Sequence, residues 1–317
     1  MKKIPTILGY SVISLLVLSI ILFTAFAQRD IPVVQLKEKY CTSASRFMPL
    51  MGMQVHYRDE GPINDSIPLV LIHGTSSSLN TWDSLASELN SSIPGGKRII
   101  RMDMPGFGLT GPSPANTYSY AYFSAFLDSF LNTLQVKSCI LAGNSLGGGI
   151  AWNYTIAHPE KVAKLILVDA SGYPRKNEKG SLGFKIASTP VINNLLLFVT
   201  PKSLVKKSLE TVFFDKRFVT VATINRYHDL LLSAGNRKAA LSLFQHPLQQ
   251  NTAAIKTITA PTLILWGAQD QLISVDNAYL FQKDIKGSTL QIYDKVGHIP
   301  MEEATRLMVA TINEFIK

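Results

Sequence analysis

Residues 139–148 read CILAGNSLGG, and this stretch decides the fold. An apolar run at 139–142 leads directly into a G-x-S-x-G pattern at 143–147, and a segment of helical periodicity follows at 146–157. A strand, a sharp turn and a helix in this order place a serine hydroxyl at the amino end of the helix, clear of the backbone. The flanking glycines permit the close backbone packing that a strained turn needs. The stretch therefore predicts that Ser145 is a nucleophile.

Similar apolar runs recur along the chain. Short runs rich in Leu, Ile and Val occupy residues 69–72, 98–102, 139–142, 165–168 and 263–266, and a last strand is predicted at 289–293. Helical periodicity lies between or after them, at 82–89, 118–134, 146–157, 278–285 and 304–316. Runs that are apolar on both faces are typical of parallel strands covered by helices on both sides. We therefore predict a doubly wound, mostly parallel α/β sheet, preceded by a hairpin at 47–50 and 55–58.

The alternation of strands and helices stops at residues 171–257. This stretch contains no convincing strand and is predicted to form about four helices, with breaks at Pro190, Pro201, Gly235 and Pro247. Residues 171–260 carry 13 basic and four acidic side chains, which accounts for the whole net charge of +9. We expect this all-helical insertion to form a lid over the carboxyl ends of the strands. The predicted core then has two parts, 45–170 and 258–317, with the lid at 171–257 between them.

A transmembrane anchor is predicted at the amino terminus. Residues 4–27 form a run of 24 residues without a charged side chain, after Lys2 and Lys3. A helix of this length spans the ~30 Å hydrocarbon core of a bilayer. We therefore expect residues 1–28 to form a single-pass membrane anchor, residues 29–44 to form a linker, and the catalytic domain to lie on the extracytoplasmic side. The alternative is a signal peptide cleaved after Ala27, which would make the protein secreted.

A serine hydroxyl needs a general base, and the base needs a carboxylate that orients it. Of the six histidines, His298 is the one that follows the last predicted strand at its carboxyl end. Asp270 comes just after the strand at 263–266. Serine, acid and histidine in this order along the chain match the arrangement in which a G-x-S-x-G serine is activated. We predict a catalytic triad of Ser145, Asp270 and His298, with Asp169 as the alternative acid.

Two backbone amides are predicted to stabilise the oxyanion of the reaction. One belongs to Leu146, directly after the nucleophile, and the other to Thr75, in the loop after the strand at 69–72. We interpret His73, in the same loop, as a structural residue that braces it. The stretch DMPGFG at 103–108 lacks the spacing of a phosphate-binding loop, so we interpret it as a tight structural turn.

The composition excludes several classes of protein. With 46% apolar and 17% charged residues, the chain is too hydrophobic for an intrinsically disordered protein. Two cysteines, Cys41 and Cys139, are too few for a disulfide scaffold or a four-cysteine zinc site. Because the excess positive charge lies in one internal segment, we predict no nucleic-acid partner. We also predict no metal and no cofactor.

The sequence resembles the α/β-hydrolase superfamily over about residues 45–317. The supporting motifs are HGT at 73–75, DMPGFG at 103–108, GNSLGG at 143–148, LILWGAQDQ at 263–271 and VGH at 296–298. The resemblance implies the same triad and the same two amide donors. The apolar amino terminus, the lid and the WGAQDQ stretch look like membrane-anchored lipases, which include the monoacylglycerol lipases. The GNSLGG stretch is also similar to the carbon–carbon bond hydrolases of aromatic ring-cleavage pathways.

These observations predict a membrane-associated serine hydrolase that cleaves carboxylic esters of acyl lipids through an acyl-enzyme on Ser145. Its expected partners are an acyl-lipid or small ester substrate, and membrane lipid contacted by the anchor and the basic lid. Two alternatives remain open. One is a carbon–carbon bond hydrolase of the ring-cleavage type, and the other is a non-catalytic membrane receptor on the same fold.

Overall fold

A computed structural model describes residues 27–174 and 181–317, together with residues 10, 13, 14, 17 and 26. Its centre is one eight-stranded sheet in the order β1-β2-β4-β3-β5-β6-β7-β8. The strands are β1 Ser45–Leu50, β2 Met53–Glu60, β3 Leu69–Ile72, β4 Ile99–Met102, β5 Cys139–Asn144, β6 Val162–Val168, β7 Thr262–Gly267 and β8 Thr289–Tyr293. The pairs β1–β2 and β2–β4 are antiparallel, and every later pairing is parallel. The predicted mostly parallel α/β sheet is confirmed.

Helices cover both faces of this sheet. The α-helices from residue 27 onward are α1 Val33–Tyr40, α2 Asp83–Ser92, α3 Tyr120–Thr133, α4 Leu146–Ala157, α5 Leu182–Ala187, α6 Lys202–Val212, α7 Val221–Leu231, α8 Asn236–Gln245, α9 Asp276–Asp284, α10 Pro300–Glu303 and α11 Thr305–Ile316. The side chains of strand β3 lie alternately on the two faces of the sheet, and each face packs into its own buried cluster. Leu69 and Leu71 pack with residues of α2 and α11, whereas Val70 and Ile72 pack with residues of α3 and α4. All four β3 residues are fully buried, which explains why the run is apolar at every position.

Four helices, α5 to α8, lie between β6 and β7 and form a helical insertion, defined here as residues 181–257. The breaks between its helices have local causes. Pro201 occupies the N-cap position of α6. Gly235 precedes α8 with φ of 85°, a left-handed conformation that glycine adopts without steric cost. The insertion therefore folds back over the sheet as separate short helices rather than as one rod.

The predicted transmembrane helix requires a correction. The longest helix among the described residues is α3, whose 14 residues span about 21 Å, and one of its faces packs into the core. No described helix is both long and apolar enough to cross the ~30 Å core of a bilayer. The prediction of an amino-terminal transmembrane helix, and the membrane localisation derived from it, are therefore wrong for the part of the chain that the structure describes. Most of the predicted segment, 4–27, lies outside the described residues.

Residues 28–40, which we call the strap, are bound to the outside of the helical insertion. The Gln28 amide donates to the Phe198 carbonyl at 2.7 Å, and the Ile31 amide donates to the Leu232 carbonyl at 2.7 Å. Near its other end, Lys39 Nζ lies 2.6 Å from Asp229 Oδ2. The predicted linker at 29–44 thus contains helix α1 and makes specific contacts with the insertion.

Candidate active site

Ser145 occupies the turn between β5 and α4 in a conformation that few side chains adopt. Its φ is 55° and its ψ is −118°, which is strained for a residue with a Cβ atom. The surrounding backbone fixes this geometry. The Ser145 amide donates to the Val168 carbonyl at 3.0 Å, and its carbonyl accepts from the amides of Gly149 and Ser171 at 3.0 and 2.9 Å. The turn is therefore held from both sides, at the amino end of α4.

Two glycines of the G-x-S-x-G pattern are required by close backbone contacts. A Cβ atom at Gly143 would lie 2.1 Å from the Gly147 carbonyl oxygen. A Cβ atom at Gly147 would lie 2.4 Å from the Ile72 carbonyl oxygen. Any side chain at either position would therefore push β3, β5 and α4 apart and displace Ser145.

Asp270 and His298 are joined directly. His298 Nδ1 lies 2.7 Å from Asp270 Oδ2, and because a carboxylate can only accept, Nδ1 carries the proton. The other carboxylate oxygen, Oδ1, accepts from the amides of Leu272 and Ile273 at 2.7 and 3.1 Å. The Asp270 side chain is fully buried and that of His298 is 6% exposed. The imidazole is therefore oriented with Nε2 as its free nitrogen.

Asp169, the alternative acid, lies beside this pair but does not bond to the histidine. Its Oδ1 accepts from the Gly267 amide at 2.9 Å. Burial, and then the nearby charge of Asp270, raise the pKa of Asp169 well above its usual range. The raised pKa favours the protonated form of Asp169, and the carboxylate that is bonded to His298 is that of Asp270.

These three side chains also have the donor types of a metal site. Their ligand atoms lie within 4.8 Å of one another, and among the described residues they form the one such group. A metal ion would have to ionise Asp169 and replace the hydrogen bond between Asp270 and His298. In this structure His298 Nδ1 and Asp270 Oδ2 are bonded to each other, and Asp169 Oδ2 is buried without a hydrogen-bond partner among the described residues.

Ser145 and His298 lie at the same edge of the sheet. Asn144, directly before the serine, donates from Nδ2 to the His298 carbonyl at 3.0 Å and to the Val168 carbonyl at 3.2 Å. The His298 amide donates to the Val212 carbonyl at the end of α6, so the insertion also holds the histidine loop. Within the described residues, Ser145 Oγ and the His298 ring do not hydrogen-bond each other in this structure. Asn144 is a site residue that the sequence analysis missed, since only the folded arrangement reveals its role.

The two predicted amide donors belong to the same cleft as the serine. Thr75, Ser145 and Leu146 all line an open cleft of about 880 Å³. Gly74 brings the Thr75 loop close, because a Cβ atom there would lie 3.0 Å from Ser145 Cβ. Leu146 is the first residue of α4, where backbone amides are free to bind an anion.

His73 and Asp103 hold the backbone around this loop through buried hydrogen bonds. His73 is buried, with Nδ1 2.8 Å from the Gly74 carbonyl and Nε2 accepting from the Met104 amide at 3.0 Å. Burial lowers the pKa of His73, so the ring is neutral and both nitrogens serve the loop. Asp103 accepts from the Leu79 amide at 2.7 Å and lies 2.7 Å from His56 Nδ1. Both residues therefore have structural roles here.

A second cavity adjoins the cleft. It has a volume of about 130 Å³ beneath the helical insertion, and we call it the chamber. Three residues line both the cleft and the chamber, namely Thr75, Phe184 and Phe244. The chamber wall is mainly apolar, and its cation is Arg237, which is ion-paired with Asp30 of the strap.

Comparisons with known proteins agree with this architecture. Residues 67–305 match the sequence model of a family described as the alpha/beta hydrolase fold. A 2-hydroxy-6-oxononadienedioate/2-hydroxy-6-oxononatrienedioate hydrolase of Klebsiella pneumoniae is 28% identical over 260 residues, covering 78% of this chain and 85% of the relative.

Two solved structures share the fold. A meta-cleavage product hydrolase from Pseudomonas fluorescens has a TM-score of 0.72 and 23% identity, covering 86% of this chain and 97% of its own. A bacterial membrane phospholipase A has a TM-score of 0.72 and 23% identity, covering 100% of this chain and 98% of its own. At these identities the structural likeness establishes the fold alone.

Proposed function

The chain belongs to the α/β-hydrolase family, and from this premise we propose that it is a serine hydrolase whose nucleophile is Ser145. The observation that carries the proposal is the hydrogen bond of 2.7 Å between Asp270 and His298, at the sheet edge where Ser145 is held in a strained turn. His298 is the general base in this proposal, and Asp270 orients it. Catalytic hydrogen bonds to the serine often form only when substrate binds, so the absence of one between Ser145 and His298 is compatible with this assignment.

The proposed reaction proceeds through an acyl-enzyme. Ser145 Oγ attacks the substrate carbonyl carbon while its proton passes to His298 Nε2. The amides of Thr75 and Leu146 stabilise the resulting oxyanion, and losing one such donor costs ~10²–10³ in rate. When the tetrahedral intermediate collapses, the leaving group takes the bonding electron pair and receives the proton from His298. Water then gives a proton to His298 and attacks the acyl carbon. His298 returns this proton to Ser145 Oγ as the acyl–oxygen bond breaks, which releases Ser145 and a carboxylic acid.

We propose further that the bond broken is a carbon–carbon bond next to a ketone. The support comes from the curated relatives, whose names describe hydrolases of 2-hydroxy-6-oxo dienoates and related compounds at 24–28% identity. Such a substrate first becomes its 2-oxo tautomer, as the 2-hydroxyl proton moves to the carbon next to the ketone. The electron pair released when the carbon–carbon bond breaks is then delocalised in a dienolate, which takes up the proton of His298. Exposed Lys185 lines the cleft and supplies a positive charge for a substrate carboxylate. The predicted membrane-associated esterase of acyl lipids finds less support than this alternative.

Ester hydrolysis is the second candidate, because the chamber is poorly suited to an anion. Its cation, Arg237, is ion-paired with Asp30 through Nε and Nη2, which balances its charge, although Arg237 Nη1 is buried without a hydrogen-bond partner in the part of the chain that the structure describes. An uncharged acyl group suits such a wall better than a carboxylate does. The first steps on Ser145 would be the same, with an alcohol as the leaving group.

A direct comparison of the two reactions tests the proposal. The full chain is assayed with a 2-hydroxy-6-oxo dienoate, followed by loss of its visible absorbance, and in parallel with p-nitrophenyl hexanoate. We expect the larger kcat/KM with the dienoate, and loss of both activities in Ser145→Ala. The control is Ser91→Ala, which removes an exposed hydroxyl on α2. Turnover of the ester alone would favour the second candidate, and no turnover of either would favour the non-catalytic receptor.

A further inference from the structure

The chamber has the size of a small apolar ligand. All four helices of the insertion contribute to its wall, through residues such as Phe184 on α5, Leu209 on α6, Leu231 on α7 and Ala240 on α8. A protein cavity of ~150 Å³ with an apolar lining holds one benzene ring. A chamber of about 130 Å³ therefore has room for about six carbon atoms.

Its position assigns the chamber to one side of the substrate. Thr75, whose amide faces the reacting carbonyl in the proposed mechanism, lines both cavities. The rings of Phe184 and Phe244 lie at the same boundary, with centroids 4.9 Å apart. The open cleft of about 880 Å³ accommodates the larger leaving group and its exchange with solvent. In this arrangement the acyl substituent of the carbonyl lies next to the chamber.

The strap holds the outer side of this chamber. Arg237 belongs to the chamber wall, yet its guanidinium is bonded to the strap. Nε and Nη2 donate to Asp30 Oδ1 at 3.1 and 2.6 Å, and Nη2 also donates to the Gln28 carbonyl at 2.8 Å. The other Asp30 oxygen accepts from the Gly235 amide at 3.0 Å, at the start of α8. The strap thus fixes both the arginine and the helix that carries it.

The ion pair is what keeps Arg237 in the wall. The Arg237 side chain is 6% exposed, whereas that of Asp30 is 40% exposed. A buried guanidinium without its carboxylate is costly, so removing Asp30 would drive Arg237 towards water. Because α8 carries Arg237, Ala240 and Leu241, such a movement would open the far side of the chamber.

We propose that the chamber binds the acyl side of the substrate, up to about six carbon atoms, and that the Asp30–Arg237 pair between strap and wall sets this limit. The proposal rests on the proposed function of Ser145. The strap lies before residues 67–305, which match the family model.

A chain-length series of p-nitrophenyl esters tests the size of the chamber, because the leaving group stays constant. For the unaltered protein we expect kcat/KM to rise about fourfold per methylene group up to about six carbons and then to fall. Ala240→Phe places a ring in the chamber, so the optimum should move to four carbons or fewer. Ala240→Leu is the milder version of the same change. The control is Ala121→Phe, at an exposed position on α3.

Asp30→Ala tests the role of the strap. We expect the ratio of kcat/KM for the decanoyl ester to that for the hexanoyl ester to rise at least fivefold. Glu38→Ala removes an exposed carboxylate from the same strap and should leave the ratio unchanged. Thermal unfolding shows whether each variant is folded. If Asp30→Ala does not fold, the Ala240 variants still test the chamber.

The outcomes separate this proposal from the proposed function. Hydrolysis that depends on Ser145, with the same chain-length profile in Ala240→Phe, Ala240→Leu and the unaltered protein, would overturn the chamber alone. The role of the strap would be overturned if the chain-length profile shifts in the Ala240 variants but folded Asp30→Ala keeps the same ratio of kcat/KM for the decanoyl and hexanoyl esters. Hydrolysis that persists in Ser145→Ala, or no turnover of either the esters or the dienoate by the unaltered protein, would overturn the proposed function and the chamber together. Turnover of the dienoate without hydrolysis of any ester in the series would overturn the chamber alone.

Discussion

The carboxyl groups of Asp169 and Asp270 lie side by side at the ends of the neighbouring strands β6 and β7, and the two side chains are fully buried. Asp270 accepts hydrogen bonds from two amides and faces His298, whereas Asp169 has one amide partner, Gly267. Two adjacent buried carboxylates repel each other, so one of them keeps its proton. Asp270 accepts the larger number of hydrogen bonds, and the pKa of Asp169 is raised by burial and by the neighbouring carboxylate.

This asymmetry predicts different effects of the two amide substitutions. Asp270→Asn should lower kcat by about 10⁴-fold, because it removes the charge that stabilises the histidine and favours the wrong tautomer. The kcat of Asp169→Asn should stay within about tenfold of that of the unaltered protein, because an amide resembles a protonated carboxyl group. Steady-state kinetics on both variants check this. Equal losses would mean that the charge is shared or lies on Asp169.

The buried proton on Asp169 should also appear in the pH dependence of stability. The raised pKa means that the folded protein binds this proton where the unfolded chain has lost it. Its contribution to stability is complete below about pH 4, the usual pKa of an unfolded aspartate, and is lost as the pH rises through the folded pKa. Asp169→Asn removes this dependence.

Urea unfolding at several pH values from 4 to 9 measures that difference. The free energy of unfolding of Asp169→Asn, relative to the unaltered protein, should increase with pH. A relative stability that is flat or decreases with pH would show that Asp169 is ionised in the folded state.

Gly147→Ala should destabilise the protein by about 3 kcal/mol, because the new methyl group would overlap the Ile72 carbonyl. Gly95→Ala is the matched control. Its φ is +81°, but no atom lies within 4 Å of the added Cβ, so only the backbone cost of about 1 kcal/mol applies. Chemical denaturation compares the two variants, and similar losses in both would contradict the close contact of α4 with β3.

Asp103→Ala should lower stability by about 3–5 kcal/mol, because it leaves buried backbone amides without an acceptor and removes the partner of His56. The activity per folded molecule should fall far less than in Ser145→Ala. Calorimetry and active-site titration separate the two effects. A variant that is as stable as the unaltered protein but inactive would give Asp103 a catalytic role.

Periodicity predicted the elements of the core well, because burial on both faces leaves a strong pattern. The run at 139–142 became β5, which continues to Asn144 because the polar turn residues still pair with β6. The helix predicted at 118–134 is observed as Tyr120–Thr133, and Ser119 caps it by accepting from the Tyr122 amide. Polar residues at the ends of helices and strands do not follow the hydrophobic periodicity, so the observed boundaries differ from the predicted ones by a few residues.

Contacts between distant segments were not predictable from the sequence. The order of residues along the chain favoured Asp270 over Asp169, but the number of amide donors that each carboxyl group receives, two for Asp270 and one for Asp169, is set by the folded loops. The pairing of His56 with Asp103 joins residues from β2 and a distant loop, without a motif. The apolar run at 4–27 was interpreted from its length and composition, and these do not specify where a segment lies.

The strap carries a practical consequence for anyone who shortens this protein. Leu36 is 2% exposed because it packs with Leu109 and Leu230, which are themselves 3% and 5% exposed. A recombinant chain trimmed to begin at Ser45, where the sheet starts, would leave these two leucines facing water. Such a chain would aggregate more readily during purification, even though every strand of the sheet is intact.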